Sequence, residues 1–193
     1  MKILEAQTFK ERLESKLSYQ DKNHVDHSNI EAVLTRPEGS YLLREWHFGH
    51  NIVTSAGDVY YSQMAAGVAV TNDFKGANSR NEFRTGADTP AAGDTYDSVN
   101  GTQTGTKHAL DATYPKCPDT DTDNTGLGTT TATYRYSYTT AEGNVTGIIG
   151  GSVFAVTSPT TGTPLLCHYS ISTFDKTSSD TLKFYVNHTF LHQ

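Results

Sequence analysis

Asp119, Asp121 and Asp123 occupy every second position of the stretch PDTDTDNTGLG, with Asn124 and Gly126 behind them. Alternating oxygen donors ahead of a glycine are how many calcium loops begin. In the EF-hand register with Asp119 first, however, Asn124 falls where the sharp turn needs glycine. Thr130 falls where a bidentate glutamate closes the shell. The stretch is therefore not an EF-hand. Asp119, Asp121 and Asp123 stand as a weak calcium candidate. The competing account is local: short Asp and Asn side chains bond nearby backbone N–H groups and hold an irregular loop.

The histidines offer less. His24 and His27 sit with Asp21 and Asp26 in a spacing zinc can use. No second Cys or His pair lies near, and a solvated linker accounts for them. His47 and His50 flank Phe48-Gly49, His188 falls on an apolar strand face as a core histidine, and His108 and His168 have no partner in sequence. Nucleophilic catalysis needs a Ser or Cys at a strained turn beside a base. There is no G-x-S-x-G, and Cys167 falls inside a predicted strand rather than at a helix start. Residues 101–105, GTQTG, lack the lysine of a phosphate cradle. No catalytic residue is assigned and no enzyme is expected, although scattered carboxylates leave a glycosidase pair open at this point. Tyr134, Tyr136 and Tyr138 form a ladder that is either the inward face of a sheet or a sugar-binding face.

The chain that must position these groups has 193 residues, enough for a sizeable core. Only 35% are hydrophobic and 19% charged, with threonine, serine and glycine filling the gap and 11 tyrosines present. That profile fits a β-rich protein with long polar loops. A net charge of -6 without any Lys/Arg run lacks the footprint of a nucleic-acid binder. No membrane-span window and no signal-peptide core is found, so a soluble protein without membrane partners is expected. Cys117 and Cys167 do not make a disulfide framework; a single bridge between them is open, with free or buried thiols the favoured reading.

Thr8 and Glu11 have capping-box spacing, and Phe9, Leu13 and Leu17 form one apolar stripe. A short amphipathic helix is marginal alone and must dock, so these three residues and Trp46 are the expected interface anchors. Residues 1–29 read as a helical arm and linker, and 30–193 as a β-rich body. Residues 30–48 predict a hairpin around Pro37-Glu38-Gly39. A short helix begins at Thr54 or Ser55, with Val59, Tyr60 and Met64 near one face and Gly67 as its stop. Strands are predicted near 81–84, near 106–112, over TATYRYSYTT and over NVTGIIGGSVFAV. PLLCHYSIS and TLKFYVNHTF read as a closing hairpin around TFDKTSSD. Leu182, Phe184, Val186, His188 and Phe190 share one face, and Lys183, Tyr185, Asn187 and Thr189 the other. The fold class expected is mainly β: an antiparallel sandwich, Ig-like or jelly-roll-like, with the helical arm and one further short helix.

Four segments together resemble small β-rich virion structural proteins of tailed bacteriophages: HNIVTSAGDVYYSQMAAG, RTGADTPAAGDTYDSV, TYRYSYTTAEGNVTGIIGGSVF and FDKTSSDTLKFYVNHTF. The resemblance spans about residues 51–190. It implies a structural role in the virion, assembled in the host cytoplasm, with no catalytic residue to carry over. The first expectation is a capsid decoration or cement protein that bridges subunits of the major capsid protein, with the arm reaching a neighbour. A tail or neck part, such as an adaptor or fibre-base protein, is the second. A carbohydrate-binding module using the tyrosine face or the Asp loop is the third. Other virion proteins and further copies of the chain are the expected partners, as a homo-oligomer; TATYRYSYTT is a candidate edge that adds to a neighbour's sheet.

Overall fold

The computed structural model of the chain describes residues 28–36, 43–47, 51–87, 89–97, 101–123 and 129–190. Within them run β1 (Ser28–Thr35), β2 (Leu43–His47), β3 (Asn51–Val53), α1 (Ser55–Ala65), β4 (Arg80–Thr85), β5 (Thr102–Ala109), β6 (Thr131–Tyr138), β7 (Val145–Phe154), β8 (Leu165–Lys176) and β9 (Thr181–Thr189). Strands β2-β1-β9-β6 make one antiparallel sheet, here sheet A, and β3-β8-β7-β4-β5 make the other, sheet B. The fold is an antiparallel β-sandwich. Its core joins Ile30, Tyr134, Phe184 and Val186 of sheet A to Phe83, Val153 and Tyr169 of sheet B.

The alternation in β6 and β9 sets their facing. Tyr134, Tyr136 and Tyr138 are buried, as are Leu182, Phe184, Val186 and His188. Phe190 lies beyond β9 and is 45% exposed. Each inward tyrosine hydroxyl needs a partner, because an unbonded buried hydroxyl is costly. Tyr61 donates to the Tyr134 hydroxyl (3.2 Å), Ser79 meets Tyr136 (3.2 Å), and Asn81 donates to Tyr138 (2.8 Å) while accepting from Tyr169 (2.6 Å).

Helix α1 begins where its cap predicts. The Thr54 side chain accepts from the Gly57 amide, and its hydroxyl donates to the Leu165 carbonyl. Gly57 lies against the Leu166 carbonyl, where any Cβ would collide with backbone, so glycine lets the helix sit down on β8. The expected helix face is corrected: Gly57 and Tyr60 are buried, while Val59 (51%) and Met64 (41%) are exposed. Val59 sits about 100° around the helix from Tyr60, on the far side from Gly57.

Three further expectations change. The closing hairpin does not form: β8 continues to Lys176, the turn is Thr177–Asp180, and β9 belongs to the opposite sheet. Both edges of each strand are already taken. Cys167 pairs with Val53 and Val153, and Phe184 with Ala32 and Tyr136. β1 begins at Ser28, inside the expected linker, and β5 begins four residues before the predicted Thr106. β1 and β2 pair antiparallel as the hairpin expectation requires, with Trp46 opposite Glu31; the Trp46 side chain, residues 37–42 with the expected Pro37-Glu38-Gly39 turn, and Phe48 lie outside the described residues. The arm residues Phe9, Leu13 and Leu17, and His24, His27 and His50, also lie outside them.

Candidate functional site

The groups with chemical potential gather under two loops, each strapped across the outer face of one sheet. Residues 111–123 cross sheet A. Residues 89–97 cross sheet B.

The first strap holds the Asp series. Its start runs beside β6: the Asp111 amide bonds to the Arg135 carbonyl (2.9 Å), Lys116 exchanges both backbone bonds with Thr133 (3.0 and 2.8 Å), and the Asp111 carboxylate accepts from the Ser137 amide (2.9 Å). The edge of β6 is thereby covered along Thr133–Ser137, which removes it as a site for adding a neighbour's strand. The Arg135 guanidinium donates to Asp111 and to Asp121, each at 2.6 Å, and lies 4.4 Å from the Tyr114 ring centre. Asp121 also accepts from the Tyr185 hydroxyl (2.9 Å); Lys183 donates to Asp123 (2.6 Å) and Tyr114 to Asp119 (2.9 Å).

The carboxylates also cap their own loop, Asp119 accepting from the Asp121 amide and Asp121 from the Asp123 amide, both 3.2 Å. Asp119, Asp121 and Asp123 thus turn to different partners, two of them cationic. Among the described residues no group of three or more His, Cys, Asp or Glu side chains is arranged to hold a metal ion. Burial pushes the Asp121 carboxyl up, but the Asp123 amide, Tyr185, Arg135 and Lys183 together outweigh it and hold the group at about 2.

The second strap was not foreseen as a site. In RNEFRT, Arg80, Glu82 and Arg84 fall at alternate positions and so share one face of β4. Glu82 and Arg84 are fully buried there. Glu82 accepts from the Tyr96 hydroxyl (2.6 Å) and the Gly105 amide (2.7 Å), with Lys107 at 3.8 Å. Arg84 donates to the Tyr96 carbonyl (3.0 Å) and reaches Ser152 at 3.4 Å. Tyr96 packs with Phe154 and Leu165 in a small second core.

His168 Nδ1 lies 2.6 Å from Asp94, and Ser152 is its cross-strand partner. The residue types are those of a Ser-His-Asp triad. Neither Ser152 nor His168 has exposed surface, so the set anchors the strap and presents no nucleophile to a substrate. Cys167 is buried and its thiol pushed up by that burial; it and Cys117 are free thiols. His188 is buried too, with Nδ1 2.5 Å from the Tyr61 hydroxyl, and burial pushes its imidazole down to about 3. His108 stacks on Tyr138 with ring centres 4.3 Å apart.

Burial of the tyrosine ladder removes it as a sugar-binding face. No helix among the described residues is long and apolar enough to cross a membrane. Comparison with protein-family models, with curated proteins and with solved structures finds no match to this chain. The residues that sequence reasoning missed, Glu82, Arg84, Tyr96 and the Asp94–His168 pair, are joined only where the 89–97 strap folds over strands β4 and β8. The one local signal was the alternation of charge in RNEFRT.

Proposed function

We propose that the protein is an architectural part, a virion structural protein of a tailed bacteriophage, and first of all a capsid decoration or cement protein that bridges subunits of the shell. The observation that carries the architectural reading is the commitment of its reactive groups. Asp121, Arg135, Glu82, Arg84 and His168 are spent on fastening two straps to a sandwich. A block braced on both faces holds its shape under repeated weak contacts, which is what a symmetric assembly asks of a component. The virion setting comes from the sequence resemblance.

Copy number in purified particles, measured by mass spectrometry against the major capsid protein, tests this reading. A ratio near that of the capsid subunits is the expected result. A ratio lower by more than an order of magnitude would move the protein to a tail or neck ring, and absence from particles would overturn the virion reading altogether.

A further inference from the structure

Among the described residues, four of the five exposed large hydrophobic side chains cluster by position on or beside α1: Val59, Met64 and Val68 (56%) belong to the helix or its trailing turn, and Phe190 packs against it. The Phe190 ring meets Tyr61 edge-on at 4.9 Å. Met64 follows Tyr61 by three residues, so the two adjoin on the helix surface. The Val68 and Gly67 amides bond back to Gln63 and Met64 (3.1 and 3.2 Å), which keeps Val68 at the end of the helix. Phe190, the half-buried Tyr61 ring and Met64 therefore adjoin as one apolar strip, with Val68 at the end of the helix and the Lys75 ammonium beside Met64. Monomers seldom leave such strips uncovered without a use.

The place where the chain enters the sandwich points to the occupant. Ser28, the first residue of β1, is the register partner of His188, whose ring bonds Tyr61. Residues 1–27 therefore feed into the fold beside this strip. They hold the stripe Phe9, Leu13 and Leu17, and the ten residues from Ser18 to His27 reach at most about 35 Å. Charge is balanced on both sides: Met1–Leu17 carries Lys2, Lys10, Arg12 and Lys16 against three glutamates, and the strip is flanked by Asp58 of α1 and by Lys75, whose ammonium lies 3.6 Å from the Met64 sulfur, so apolar contact and the tether carry the docking.

We propose that the amino-terminal stripe Phe9, Leu13 and Leu17 docks on its own molecule, covering the strip formed by Phe190, Tyr61, Met64 and Val68. Tethering favours this over capture by a second copy, because a short linker holds the stripe at high effective concentration. The inference does not depend on the virion reading.

Paired cysteines in the full chain test it. In a Cys117→Ser background, Leu13→Cys is combined either with Met64→Cys or, as the distant site, with Ser178→Cys in the turn at the far end of β9. The expected result under mild oxidation is a disulfide between positions 13 and 64 within one chain, at a rate independent of protein concentration and well above that for position 178. Equal rates at both positions, or cross-links formed only between chains, would overturn it. In parallel, Leu13→Asp is expected to raise hydrogen exchange in the amides of 64–68, and unchanged exchange there would count against docking.

Discussion

The two straps perform the same task by different means. The strap on sheet A is held by charge at the surface: Arg135 is 23% and Lys183 41% exposed, and their carboxylates face partly into water. The strap on sheet B is held from beneath. Its Tyr96 joins Phe154 and Leu165, and Glu82, Arg84 and His168 have almost no exposed surface. Surface ion pairs are weak and screened by salt, whereas removing a partner from a buried charge is expensive. One strap should therefore respond to the solvent and the other hardly at all.

The largest test is Tyr96→Ala. It removes an aromatic ring from the second core and the hydroxyl from Glu82, and should cost about 4 kcal/mol. For a chain of this size that lowers the melting temperature by roughly 10 °C. A loss below about 1 kcal/mol would mean that the strap on sheet B is ornamental to stability.

Acid separates the straps from the interior. His188 is held near 3 in the fold against an ordinary 6.5. Its contribution is therefore complete above pH 6.5 and declines as pH falls, by about 1.4 kcal/mol per unit. Urea unfolding at pH 7 and pH 4.5 should differ by roughly 3 kcal/mol from this group, the lower pH being the less stable. The Asp121 contribution lies in a lower window, lost between about 3.8 and 2. A His188→Gln variant that kept the full drop between pH 7 and 4.5 would move its source elsewhere.

Asp121→Ala should cost less, about 1.5 kcal/mol, because its partners Arg135 and Lys183 stay hydrated. In 1 M salt the difference from the parent should shrink, and the Tyr96→Ala difference should not. If salt affects both equally, the contrast between the straps fails. The smallest effect is one of rate: Cys117, on the first strap, should react with a thiol reagent in the folded protein, and Cys167, buried in β8, only after unfolding. Asp121→Ala should speed the first reaction and leave the second unchanged.

What the sequence disclosed followed from local periodicity. The inward tyrosines of β6, the two faces of β9 and the Thr54 cap could all be read, because alternation and capping are properties of neighbouring residues. The partner of each strand could not. TFDKTSSD announces a reversal of the chain but not the plane in which it occurs, so β8 and β9 read as a pair although they lie in opposite sheets. The straps were hidden for the same reason: Tyr96 meets Glu82 across 14 positions, and Asp121 meets Tyr185 across 64. Tyr185 and Asn187, on the polar face of β9, are fully buried because the strap adds cover that no local pattern announces.

The register of β1 on β9 bears on how the block carries load. Eight residue pairs run from Ser28 opposite His188 to Thr35 opposite Thr181. The outer ends of both strands therefore lie together. Traction applied through the segments that leave those two ends would peel the ladder open one bond at a time, like a zip, and needs little force. Traction across the broad faces would instead strain many bonds and the whole interior together. An assembly that must resist pressure does better to grip this protein by its flanks than by its ends.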